Sequence, residues 1–154
     1  KGMKLDGSYT MHAPRQLVFE TLQDPEALRG CLPGVESFEA VGDGRYEATG
    51  KAGVAGIRGS YSGTVILTDQ KPPESYQLSA EGSFSGGRVT GTATITLVDQ
   101  GDKTVINYSG EAQLSGPLAS VGQRLLTPAA KMMARQFFKC MEDKVKSKQA
   151  TTSS

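Results

Sequence analysis

Between Arg45 and Ser115 the chain alternates apolar and polar residues with period two, yet the apolar face repeatedly carries glycine or alanine in mid-strand. One run places Tyr46, Ala48, Gly50, Ala52 and Val54 on one face, with Arg45, Glu47, Thr49 and Lys51 on the other. A second sets Tyr76, Leu78, Ala80, Gly82 and Phe84 against Gln77, Ser79, Glu81 and Ser83. A third sets Ile106, Tyr108, Gly110, Ala112 and Leu114 against Asn107, Ser109, Glu111 and Gln113. A face that packs a dense core fills its middle with Val, Ile or Leu. Small residues there leave space, either for a helix to lie close or for a cavity. That alternative separates a plain α+β domain from a container.

The chain has 154 residues, enough for one domain with a sizeable core, expected over residues 3–146. Lys1 and Gly2 read as a remnant ahead of a natural start at Met3, and residues 147–154 as a disordered tail, polar and without apolar periodicity. A formal net charge of +1 gives no global field for a nucleic-acid partner. No run approaches the roughly 18 apolar residues that span a bilayer, and the start lacks a signal-peptide pattern. A cytoplasmic protein is therefore expected, with a peripheral place at the inner face of the membrane as a refinement. The two cysteines, Cys31 and Cys140, fit neither a disulfide framework nor a zinc motif and are expected as free thiols.

Along the chain, Met3–His12 reads as a first strand. A helix is expected over Pro14–Leu22, with Pro14 near its first turn, and a second from the Asp24-Pro25-Glu26 cap to about Gly30. Cys31-Leu32-Pro33-Gly34 supplies a turn. Six strands follow, with hairpin turns at Gly42–Gly44, Ala55–Ile57, Lys71–Glu74, Ser85–Gly87 and Gln100–Asp102, so the sheet is an antiparallel meander. From Leu118 to about Val145 the apolar spacing becomes helical, through Leu118, Val121, Leu125, Ala129, Met132, Met133, Phe137 and Cys140. Pro128 either kinks this helix or follows a Thr127 cap of a new one; the kink within one long element is preferred. The long helix buries its stripe on the concave face of the sheet, and mid-strand glycines let the sheet bend around it.

This order resembles the START-like, helix-grip fold: a curved seven-stranded antiparallel sheet around a long C-terminal helix, with two short helices after the first strand. Leu22-Gln23-Asp24-Pro25-Glu26-Ala27-Leu28 followed by Cys31-Leu32-Pro33-Gly34-Val35-Glu36 resembles the "L-x-D-P…L…C-x-P-G" segment of the carbon monoxide dehydrogenase CoxG family. Tyr108–Ala112, Gly116–Gly122 and Gln136-Phe137-Phe138 resemble its final strand and helix. The resemblance implies an accessory protein of a molybdenum hydroxylase of the carbon monoxide dehydrogenase type. It further implies membrane attachment and carriage of a quinone such as menaquinone. After Val145 this chain offers only a Lys/Ser/Thr-rich segment in place of an amphipathic membrane-binding one, so a membrane partner is expected to be weak.

Catalytic chemistry finds little support. His12 is the single histidine, no G-x-S-x-G, P-loop or Rossmann pattern occurs, and Glu47, Glu81 and Glu111 fall on polar strand faces. No catalytic residue, metal site or covalent cofactor is expected; a bound quinone or lipid is the one small molecule implied. The expected cavity wall comprises Leu28, Leu32, Tyr46, Gly50, Tyr76, Gly82, Phe84, Tyr108, Gly110, Leu125, Met132, Met133 and Phe137, with the mouth at the short helices and the Cys31–Gly34 turn. Arg124, Lys131, Arg135 and Lys139 form a basic helix face for an acidic enzyme partner or an anionic surface. The leading expectation is a non-catalytic carrier or adaptor for a quinone- or lipid-like molecule. The alternatives are a cyclase- or aromatase-like enzyme on the same fold and a ligand-free recruitment protein.

Overall fold

The computed structural model describes residues 2–153. Strand β1 (Gly2–Met11) leads into helices α1 (Arg15–Thr21) and α2 (Pro25–Cys31). Six strands follow: β2 (Val35–Gly42), β3 (Arg45–Val54), β4 (Ile57–Lys71), β5 (Ser75–Phe84), β6 (Gly87–Asp99) and β7 (Thr104–Leu114). A short 3-10 turn, Pro117–Ser120, precedes α3 (Gln123–Ser153). The sheet order is β1-β7-β6-β5-β4-β3-β2, antiparallel throughout. The expected α+β helix-grip architecture and its hairpin order are what the chain forms.

Local chemistry explains the boundaries. Asp24 caps α2 by accepting the Glu26 amide at 3.0 Å, and Pro25 holds the first helical position, where no amide donor is needed. Two hairpins turn on consecutive left-handed residues, Ala55 and Gly56 (φ 51° and 84°) and Ser85 and Gly86 (φ 49° and 85°). That geometry matches the twist of the flanking strands.

The C-terminal element departs from the expected helix at both ends. It begins later, because Gly122 at φ 91° separates the 3-10 turn from α3. Pro128 lies inside one continuous helix of 31 residues, roughly 46 Å long. Residues 147–153, expected as a disordered tail, form its last turns. Lys148 pairs there with Asp24 at 2.7 Å, and the Thr151 hydroxyl donates to the Ser147 carbonyl at 3.0 Å.

The free-thiol expectation is overturned. Cys31, the last residue of α2, forms a disulfide with Cys140 on α3, their Cα atoms 5.6 Å apart. Their sequence separation of 109 carries no spacing signal, because the pairing is set by how α2 docks on α3. Gly30 lies beside it, where a Cβ would come within 3.0 Å of the Lys144 side chain.

Candidate functional site

The inner face of the sheet carries two separate apolar clusters. One gathers Met11, Val18, Phe19, Leu22, Tyr76, Ile95, Leu97, Ile106, Phe138, Met141 and Val145 around α1, α2 and the C-terminal half of α3. The other gathers Phe84, Leu118 and Leu126, with Met3, Val54, Ile57, Tyr61, Val89 and Leu114 packed against them. Small residues lie between. The register aligns Ala112, Gly91 and Ala80 across β7, β6 and β5. It aligns Gly82, Gly63 and Ala48 across β5, β4 and β3. These two rows form a belt where the sheet offers the helix almost no side-chain volume.

The three glycines expected in the cavity wall do something narrower than leaving space at their own positions. A Cβ on Gly82 would strike the Ser62 carbonyl and the Gly63 backbone. One on Gly110 would lie 2.6 Å from the Thr92 carbonyl, and one on Gly50 2.5 Å from the Gly34 carbonyl. Gly82 and Gly110 therefore let neighbouring strands fold closely together, while Gly50 is covered by the Gly34 loop. The expectation that these three open directly onto free volume is corrected: they supply curvature. On the outer face, the bend at Gly63 and Gly82 opens a polar groove of about 370 Å³ lined by Ser37, Glu47, Thr49, Ser62, Glu81 and Arg88. On the inner side the belt carries only alanine and glycine between the two clusters.

The helix wall also differs from expectation. The side of α3 turned to the core runs through Leu126, Ala130, Ala134, Phe138, Met141 and Val145. Leu125 and Met132 lie on the back of the helix, 60% and 62% exposed, and Met133 on its flank is 38% exposed. These three are not chamber walls. Phe137 is half-buried and meets the Phe138 ring at 5.4 Å. The sequence contains both stripes. The true one is written partly in alanine, which brings helix and sheet close but carries little hydropathy signal. Arg124, Lys131, Arg135 and Lys139 are all exposed along one side of α3.

The remaining expected wall residues fall on or beside the clusters. Leu28 packs against the larger one, and Leu32 is half-buried at the end of α2. Tyr76 is in the larger cluster and Phe84 in the smaller. Tyr46 is buried, stacks on Phe38 at 5.5 Å and donates to the Gln23 carbonyl at 2.8 Å. Tyr108 leans over Gly7 and meets Phe138 at 5.6 Å.

All five tyrosines ionise above the ordinary phenol value, burial being the first cause in each. Tyr9 is pushed up to about 12, by burial and then by its hydrogen bond to Glu142. At neutral pH they are hydrogen-bond donors rather than bases. Sequence reasoning missed Glu142, which accepts from the Tyr9 hydroxyl at 2.8 Å and from the His12 amide at 3.0 Å, tying β1 to α3. Among the described residues no group of three or more His, Cys, Asp or Glu is placed to hold a metal. No described helix is long and apolar enough to cross a membrane.

A family model for CoxG, an accessory component named for carbon monoxide dehydrogenase, matches residues 7–146. The chain belongs to that family. The match covers both short helices, the whole meander and α3 as far as Lys146. No curated protein matches the chain. Among solved structures, the chain is similar to a conserved protein from Geobacillus kaustophilus, at 31% identity and a TM-score of 0.89 over 94% of this chain and 96% of that one. A START superfamily protein from Mycobacterium smegmatis (12% identity, TM-score 0.69, 94% and 97% covered) shares the fold. So does the ZhuI aromatase/cyclase from Streptomyces sp. R1128 (13% identity, TM-score 0.68, 95% and 94% covered). This CoxG protein is thus built on the START-like helix-grip scaffold.

Proposed function

We propose that the protein is a non-catalytic carrier or adaptor that holds a quinone- or lipid-like molecule between sheet and helix. It would serve a molybdenum hydroxylase of the carbon monoxide dehydrogenase type, linking it to the quinone pool or the membrane. Family membership and the fold support an accessory role with an apolar ligand. The observation that carries the reading is the belt of alanine and glycine separating two apolar clusters on a face that would otherwise form one core. Removing apolar ligand surface from water there contributes about 25 cal/mol per Å² before the costs of ordering are subtracted.

Access at the Cys31–Gly34 turn is more restricted than its loop character suggests. The disulfide fixes α2 to α3, the Tyr61 hydroxyl donates to the Pro33 carbonyl at 2.7 Å, and the Lys51 amide donates to the Gly34 carbonyl at 3.0 Å. The basic side of α3 gives an acidic partner surface a place to dock. Native mass spectrometry and organic extraction of freshly purified protein test the carrier reading, together with thermal shifts on adding menaquinone. A co-purifying apolar compound or a clear upward shift is expected. An empty protein with no shift overturns it.

A further inference from the structure

The two short helices are held very differently. Helix α1 buries Val18, Phe19 and Thr21, whereas Ala27 is the one buried residue of the seven in α2. Leu28 and Cys31 reach the larger cluster only as half-buried neighbours. Seven residues fall well short of the roughly 12–15 that an isolated helix needs in water, and Gly30 lowers the helical preference further. The order of α2 therefore depends on what docks it.

The chain is fixed on either side of α2. Before it, Asp24 pairs with Lys148 at 2.7 Å and the Gln23 carbonyl accepts from the Tyr46 hydroxyl at 2.8 Å. After it, the Pro33 and Gly34 carbonyls accept from the Tyr61 hydroxyl and the Lys51 amide. Between these points the polar ties are thin: the Arg29 guanidinium reaches the Phe38 carbonyl at 3.5 Å. The covalent bond from Cys31 to Cys140 holds this span to α3.

That bond is placed for exchange. Neither cysteine is enclosed in the core; both are half-buried where α2 meets α3, and disulfides there exchange more readily than in an interior. Lys144, one turn after Cys140, brings its ammonium beside the residue before Cys31, since a Cβ on Gly30 would lie 3.0 Å from Nζ. A cation there stabilises a thiolate leaving group. What reduction leaves at this point, Cys140 Sγ at 3.6 Å from the Gly30 carbonyl, is a weak contact beside a covalent bond.

We propose that Cys31–Cys140 is a thiol–disulfide exchange site, and that its reduction by a dithiol releases α2 from α3 while the sheet stays folded. A thiolate of the dithiol attacks one protein sulfur, and the other leaves as a thiolate that takes a proton. The second thiol of the reductant then attacks the mixed disulfide and frees the first cysteine. Two electrons and two protons enter the protein, and the dithiol departs as a disulfide. The exchange site stands without the carrier reading. Its consequence rests on that reading: release of α2 opens the mouth at the Cys31–Gly34 turn, so a bound apolar molecule leaves the reduced protein faster.

Hydrogen exchange of the full chain, read by mass spectrometry with and without dithiothreitol, tests the site. Dithiothreitol should reduce the bond without denaturant. The amides of residues 26–31 should then exchange about tenfold faster, while those of β5, β6 and β7 keep their protection. Cys140→Ser should show the fast pattern without reductant; if it fails to fold, the reduced wild type carries the test. Lys144→Gln should slow the reduction, and an unchanged rate removes Lys144 from the site. A bond that resists dithiothreitol until the whole chain unfolds overturns the proposal. So does an α2 that keeps its protection once reduced, or a sheet that loses its own. Release of the fluorescent probe N-phenyl-1-naphthylamine reads the consequence and should be about tenfold faster from the reduced protein. Equal release from both forms overturns the opening of the mouth and leaves the carrier reading standing. If neither form binds the probe, the carrier reading fails, and hydrogen exchange alone decides the exchange site.

Discussion

Cys31 and Cys140 join the end of one short helix to the middle of the long one, closing a loop across 109 residues of sequence. In the chain-entropy view, so long a loop restricts the unfolded ensemble strongly. Cys31→Ser, or reduction of the wild type, should lower unfolding stability by about 2–5 kcal/mol in urea titrations. Equal midpoints with and without reductant would show that α2 docking does not depend on the bond.

Glu142 and Tyr9 set the pH limits of the β1–α3 contact. Burial works against ionisation of Glu142. The His12 amide, the Tyr9 hydroxyl and the Lys146 charge outweigh it and hold the carboxyl below its usual 4.5. A lowered folded-state value means the contribution is present above the ordinary carboxylate range and lost as pH falls through the lowered value. Tyr9 has the opposite sign: its contribution is complete below 10 and lost as pH rises through about 12. Glu142→Gln should flatten both limbs of the stability–pH profile. Tyr9→Phe should cost about 1–2 kcal/mol at neutral pH.

Asp24 has two duties, capping α2 and pairing with Lys148, and two substitutions separate them. The Lys148 hydrogen bond is the largest influence lowering its pKa, with burial opposing and the Glu26 amide assisting. Asp24→Asn keeps a good cap but loses the charge, and should cost about 0.5–1 kcal/mol. Asp24→Ala loses both, at about 1–2 kcal/mol. Far-ultraviolet circular dichroism should also show fraying of the last turns of α3 in both variants. Undiminished helicity would place the support of that terminus elsewhere.

The belt predicts a contrast between neighbouring positions. Gly82→Ala sets a methyl against the carbonyl of Ser62, backbone that cannot swing aside, and should destabilise by about 1–3 kcal/mol. Ala80→Leu, one position along the same face and only half-buried, should fold and lose apolar-ligand binding. A folded Ala80→Leu protein with full ligand affinity would place the ligand away from the belt.

Most of the fold was legible because alternation and turn chemistry are local. Gly86 and Gly101 mark their hairpins, and the Asp24-Pro25 cap states where α2 begins. What escaped was set by tertiary approach. The faces of α3 were misread because Leu125 and Met132 outweigh Ala130 and Ala134 in hydropathy, although close packing favours the alanines. The cysteine pair gave no sign because nothing near either residue records the docking of two helices.

The pairing of β1 with β7 has a consequence for how the chain is made. Met11 faces Thr104, and Leu5 faces Gly110, so β1 leaves the ribosome with no partner on that edge until β7 is synthesised. The meander from β2 to β7 can zip hairpin by hairpin, but closure joins residues separated by most of the chain, the kind of contact that slows folding. For that interval Leu5, Tyr9 and Met11 are an apolar strand with an unpaired edge. The nascent protein is therefore most open to chaperones, and to misassociation with its own copies, just before β7 arrives.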